Sequence, residues 1–137
     1  DAGAYLLGYF LSWLAIILIY ENPEVSAWSI LLCFFWPVCE TLVSIFRRLK
    51  AKRLAYEADV NHFHHLIFRF LASRPYFFKL KTLINSFATV ITIPFSALPS
   101  IMSVFLIFDS MLAGIALVFF SVVYLFFYLI VLRAFHV

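Results

Sequence analysis

The sequence predicts an all-α fold: a polytopic integral membrane protein with about four transmembrane helices and a basic cytoplasmic helical loop. Two observations of composition and one of charge placement predict it. Of 137 residues, 66% are hydrophobic and only 12% charged, where a soluble domain carries about 25% charge. Mean hydropathy is +1.05. Nine of the ten Lys and Arg residues fall between Arg47 and Lys81, so the charge is gathered in one segment between apolar runs. This excludes a soluble enzyme or a nucleic-acid-binding module, and no nucleic acid is expected as a partner.

A helix needs about 20 apolar residues to cross roughly 30 Å of hydrocarbon. Four stretches meet or approach that length, at residues 4–20, 27–46, 83–107 and 110–132, with a loop at 47–82. The first, third and fourth carry no charge, and the second carries only Glu40. Tyr20 and Trp28 flank the turn Glu21-Asn22-Pro23-Glu24, as interfacial aromatics do, and Ser26 is placed to cap the second span. Pro94 and Pro99 are expected to kink the third span. The Phe-rich fourth span reads as lipid-facing and packing surface. Cys33 and Cys39, six residues apart on one helix, point about 240° apart; they read as unbridged small hydrophobes.

Orientation follows from the basic residues, which favour the cytoplasmic side. The 47–82 loop is therefore expected inside, and the two short connectors, acidic at Glu21, Glu24 and Asp109, outside. Arg133 returns to the cytoplasm. Asp1, at the head of the first span, then lies at the same membrane face as the loop, although about 60 residues separate them. The segment from Asp1 lacks a basic n-region and is a poor signal peptide; the chain reads as part of a longer membrane protein.

Within the loop, Arg47 through Ala58 is rich in helix formers and should prolong the second span. A second short helix, capped by Asp59 or Asn61, should run to about Ala72 and end before Arg74-Pro75. On it His62, His65 and Arg69 fall at i, i+3 and i+7, on one face. Phe63, Leu66, Ile67 and Phe70 make an apolar side suited to the bilayer or to the bundle. His64 sits near the helix start, where free N–H groups favour anions. Three readings stand beside one another: an anion seat, an amphipathic helix touching lipid headgroups, and a zinc site using the three imidazoles.

Glu40 is the one ionisable residue well inside a span, and such a carboxylate marks a functional site or a structural partner. An arginine near the cytoplasmic end of the same span is its expected partner. Gly3 would allow close backbone approach and Gly8 close helix packing.

Three blocks together resemble one family. Asp1-Ala2-Gly3-Ala4-Tyr5-Leu6-Leu7-Gly8 resembles the Gly-Asp-x-Gly-Ser/Ala segment of the polyprenyl-phosphate N-acetylhexosamine-1-phosphate transferases, glycosyltransferase family 4. Pro37 through Arg48 is similar to the family's Pro-x-x-Asp/Glu-Thr segment followed by paired arginines. Asp59 through Leu66 is similar to its Asp-x-x-His-x-His-His-Leu loop. The resemblance spans the chain as the C-terminal part of such an enzyme.

What the resemblance implies is transfer of an N-acetylhexosamine-1-phosphate from a UDP-N-acetylhexosamine to polyprenyl phosphate, with Mg²⁺, releasing UMP for cell-envelope glycan synthesis. Asp1 would be a magnesium ligand and catalytic, together with His62, His64 and His65. Arg47, Arg48, Asp59, Arg69 and Glu40 would support or bind substrate. The active site would face the cytoplasm from the inner membrane, and a homodimer is compatible with the sequence. Ala4 departs from the Ser of many relatives. A non-enzymatic protein whose basic loop docks anionic lipid or a partner is the alternative.

The family's paired-Asp loop belongs upstream of Asp1. The 137 residues alone are therefore expected to be inactive, and Mg²⁺-dependent UMP release from them would contradict that.

Overall fold

In hydrocarbon every backbone N–H and C=O must find a partner within the chain, and a helix does this locally. The computed structural model describes residues 2–50, 52, 62–76 and 82–134. Among them there are six helices and no strand: α1 (Ala2–Glu21), α2 (Ala27–Cys33), α3 (Phe35–Lys50), α4 (Phe63–Ala72), α5 (Ile84–Phe105) and α6 (Ser110–Arg133). Three of them, α1, α5 and α6, are long and apolar enough to cross a membrane; the count is four if α2 and α3 are one bent span. The chain is an all-α membrane protein.

The second span differs from the single helix expected over 27–46. It breaks at Phe34, and α2 and α3 meet at 77°. Pro37 is the cause visible in the sequence. A proline lacks the N–H that would bond the carbonyl four residues back, and its ring crowds that carbonyl. Here that carbonyl belongs to Cys33, and the Ser100 hydroxyl of α5 donates to it at 2.9 Å. The break is thus closed by a neighbouring helix, as membrane helices require where their own ladder fails. α5, by contrast, continues through Pro94 and Pro99 as one element.

Serines join the helices along this seam. Ser29 donates to the carbonyl of Ser103, and both side chains are buried. Small hydroxyl residues let membrane helices approach closely and add interhelical hydrogen bonds of about 0.6 kcal/mol each on average. At the far end of the bundle Ser26 caps α2 as expected, accepting from the Ser29 N–H. Ser26 N–H also donates to the Ile107 carbonyl at 2.7 Å, and Ser110 donates to the Ser26 hydroxyl at 3.0 Å. The two acidic connectors therefore lie together. Asp109 caps α6 through the Leu112 N–H at 2.9 Å.

The core sits where α4 packs against α5 and α6. Its centre is aromatic. Phe63 is 1% exposed and meets Trp36 of α3 at 5.9 Å, Phe95 of α5 at 5.1 Å and Tyr124 of α6 at 5.4 Å between ring centroids. Such tilted and edge contacts add about 0.5–1.5 kcal/mol per pair beyond area burial. α4 buries Phe63, Leu66, Ile67 and Leu71, so its apolar side faces the bundle rather than the bilayer.

α1 is different. None of its residues is buried, and a Cβ added at Gly3 or Gly8 would meet nothing within 4 Å. The close approach expected at these glycines is absent, because among the described residues no helix faces them. Cys33 and Cys39 are unbridged as expected, but Cys33 is exposed rather than buried and Cys39 only half-buried.

Candidate functional site

Glu40 lies on α3 six residues after the break, with a side chain 12% exposed. Its carboxylate gathers three donors from two other elements. The Tyr124 hydroxyl of α6 donates to Oε1 at 2.7 Å. The Phe63 N–H donates to both oxygens at 3.3 and 3.4 Å. His62 Nδ1 stands 2.9 Å from Oε2. A charged side chain at mid-span costs about 2.5–3.5 kcal/mol on insertion scales. Hydrogen bonds to a charged group return roughly 1.5–3 kcal/mol each, so three are enough to hold the carboxylate there.

The arrangement also explains how α4 starts. The sequence suggests Asp59 or Asn61 as its cap, but His62 occupies the cap position, with extended backbone (φ −60°, ψ 152°) and no side-chain cap bond of its own. The free N–H of Phe63, one of the orphan donors of a helix start, is satisfied by Glu40 from another helix. Its partners are His62, Tyr124 and this N–H rather than the arginine expected from the sequence.

The three histidines come together at this helix start. The rings of His62 and His64 lie nearly parallel, 6.3 Å apart and 9° between planes. His64 and His65 are 4.0 Å apart at 38°, and His62 and His65 6.4 Å apart. His64 and His65 are exposed, as is Arg69 on the same helix. Although exposed overall, the His64 ring is partly desolvated at the helix start, which holds its imidazole below the usual 6.5; the neighbouring His65 and, more weakly, His62 push the same way, while Glu40 opposes them.

A groove of about 590 Å³ runs between α3 and α6. Its walls are apolar, with Leu42, Val43 and Phe46 from α3 facing Leu125, Leu129 and Leu132 from α6, and Arg47 and Lys50 close its α3 end. The Arg47 guanidinium donates to the Tyr128 hydroxyl, and Tyr128 stacks in turn on Tyr124 with centroids 6.1 Å apart. Glu40, His62, Tyr124, Tyr128 and Arg47 thus connect the histidine cluster to the groove. Arg48 is half-buried on the same last turn of α3.

Asp1 and Asp59 lie outside the described residues. Among the described residues, no group of three His, Cys, Asp or Glu can hold a metal ion. The three-imidazole zinc arrangement is therefore absent there. Magnesium prefers oxygen ligands in near-octahedral geometry, and the oxygens of Glu40 are already taken by three donors. The described residues do not by themselves fit Mg²⁺.

Tyr124 and Tyr128 were not singled out in the sequence. Their signal was present: two hydroxyls four residues apart on one face of an otherwise apolar span, each needing a partner when buried. The chain matches no protein-family profile, no curated protein and no solved structure.

The depressed His64 sets a sign for pH. The unfolded chain takes the proton first, so the contribution of His64 to stability is complete above about 6.5 and is lost as pH falls through its lower folded value. His64→Gln should flatten the stability-against-pH profile below 6.5, measured by thermal melts in detergent; an unchanged slope would contradict it.

Proposed function

We propose that this chain is the C-terminal part of a polyprenyl-phosphate glycosyl-1-phosphate transferase. It would move an N-acetylhexosamine-1-phosphate from a UDP-sugar to a polyprenyl phosphate, at the cytoplasmic face of a bacterial-type inner membrane. The observation that carries this reading is the pairing, along α3, of an apolar groove ending in cations and a histidine cluster held by Glu40.

The two substrates differ in chemistry, and the two features match them. A polyprenyl phosphate needs apolar walls for its chain and a cation for its phosphate. The groove supplies leucine and phenylalanine walls and ends at Arg47 and Lys50. Its 590 Å³ falls within the range of about 300–1,000 Å³ of small-molecule sites. A UDP-sugar needs polar groups in water, and His64, His65 and Arg69 are exposed beside the start of α4. Cationic donors lower the barrier to phosphoryl transfer by stabilising charge on the transferring group. Arg47, held by Tyr128, is pre-oriented for that duty at the lipid phosphate.

In this reading His62, His64 and His65 bind the diphosphate or shape the sugar pocket, with Arg48, Asp59 and Arg69 in support. Magnesium enters only through Asp1, a carboxylate of suitable hardness. The polar loop as a mere headgroup anchor is less well supported, because the apolar side of α4 is buried in the bundle and is not free to lie on lipid.

In the complete protein, His65→Ala should abolish UMP release from a UDP-N-acetylhexosamine in the presence of polyprenyl phosphate, with membrane insertion intact. His65 is exposed, so loss of folding is not expected. Unchanged activity would remove the histidines from the mechanism.

A further inference from the structure

The groove between α3 and α6 has two definite ends. The helices run in the same direction along it, since Glu40 meets Tyr124 and Arg47 meets Tyr128. Arg47 and Lys50 mark the charged end, and Cys39 and Ser121 are the lining residues farthest from them on the two helices. At a rise of about 1.5 Å per residue, the wall from Cys39 to Arg47 is about 12 Å long. One turn before Cys39, Phe35 meets Phe120 of α6 with ring centroids 6.1 Å apart. Phe35 is buried, so the seam between the helices is shut there. The buried Tyr124 and Tyr128 line the inner side of the groove, whereas Leu42, Phe46 and Leu129 are exposed along its rim. The groove is therefore stopped at its far end and open sideways to the bilayer.

These dimensions select a length of hydrocarbon. Carbon–carbon bonds of about 1.5 Å make an extended isoprene unit about 5 Å long, so the wall takes between about two and three units. Volume agrees. At the ~30 Å³ that a water molecule occupies in the liquid, 590 Å³ holds about 20 heavy atoms, the size of three isoprene units with one phosphate. A chain that leaves the groove for the bilayer loses nothing, because lipid tails are as apolar as leucine. Only units packed between the walls contribute, through dispersion contacts. The apolar wall also begins directly at the cations, with Phe46 next to Arg47. A prenyl phosphate has no polar group between its phosphate and its hydrocarbon and matches that junction. A diacylglycerol phosphate carries two esters there, which the wall would strip of water.

We propose that the groove is a ruler that reads the first three isoprene units of a single-chain prenyl phosphate, with Arg47 and Lys50 at the phosphate and the Phe35–Phe120 contact as its stop. This rests on the transferase reading and states which part of the lipid acceptor is recognised. Units beyond the third pass over the exposed rim into the bilayer and add no affinity. Cys39 holds the last position before the stop, so a phenylalanine there fills the far end and shortens the ruler by about one unit.

The test uses the complete protein in lipid nanodiscs, with tritiated farnesyl phosphate read by scintillation proximity and empty nanodiscs as the blank. Unlabelled geranyl, farnesyl, geranylgeranyl and undecaprenyl phosphates and dioleoyl phosphatidic acid compete at equal mole fractions in the bilayer. Geranyl phosphate should compete about tenfold less well than farnesyl phosphate, because the dispersion contacts of one packed unit are lost. The two longer prenyl phosphates should match farnesyl phosphate within about twofold, and phosphatidic acid should compete at least about tenfold less well. In Cys39→Phe the advantage of farnesyl over geranyl phosphate should vanish; an advantage retained there would overturn the position of the stop. Affinity that keeps rising from farnesyl to undecaprenyl phosphate would overturn the ruler, and so would phosphatidic acid competing as well as farnesyl phosphate. Both results are read on the wild type, so no variant has to fold. If the plateau at three units appears but the complete protein releases no UMP from a UDP-sugar, the ruler stands and the transferase reading fails. If UMP is released and no plateau appears, the transferase reading stands and the ruler fails.

Discussion

A carboxylate inside a membrane span must be surrounded by donors or removed, and Glu40 is surrounded. Its oxygens take the Tyr124 hydroxyl from α6, the first free N–H of α4 and the His62 ring. Each of these contacts does a second job. The first couples α3 to α6. The second starts α4 where no local side chain caps it. The third places the leading member of the histidine cluster. Without the carboxylate the helix start would keep an orphan N–H beside the aromatic core, and the imidazole would lose its only fixed partner among the described residues.

That interaction is possible because the second span is broken. A straight helix over 27–46 would carry Glu40 along one line with Ser29. Pro37 instead ends the ladder at the Cys33 carbonyl, and Ser100 takes up that carbonyl at 2.9 Å. The 77° turn then sets α3 on its own course, with Glu40 reaching both the start of α4 and Tyr124 of α6, and Cys39, Val43 and Arg47 lining the groove along α6. One helix thereby carries both the carboxylate that holds His62 and residues that line the groove. Phe63, packed by rings from α3, α5 and α6, ties the start of α4 to all three helices.

Much of this was legible from residues alone, for physical reasons that differ by element. The apolar runs at 4–20, 83–107 and 110–132 could only be spanning helices, and α1, α5 and α6 match them closely. α4 was legible from the spacing of Phe63, Leu66 and Ile67, and its end from Arg74-Pro75. Ser26 announced itself as a cap. The break at Phe34 was not legible, because a proline three residues into a helix is tolerated at a helix start and kinks one in mid-span; packing against α5 decided between them. Tyr124 and Tyr128 were hidden because an aromatic run in a membrane reads as lipid contact, and their partners lie more than 80 residues away. Sequence spacing points Glu40 to an arginine on its own span, whereas its partners come from the start of α4 and from α6. Gly3 and Gly8 read as packing positions, yet small residues mark an interface only where a second helix faces them.

The junction of α3, α4 and α6 depends on the Glu40 carboxylate and the Tyr124 hydroxyl acting as one unit. A double-mutant cycle of Glu40→Gln and Tyr124→Phe, read by reversible unfolding in detergent, measures that coupling directly. Residues in one hydrogen-bond network show interaction energies of about 0.5–3 kcal/mol, whereas independent sites add to within roughly 0.3–0.5 kcal/mol. A coupling of about 1 kcal/mol or more is the expected result; losses that simply add would contradict it.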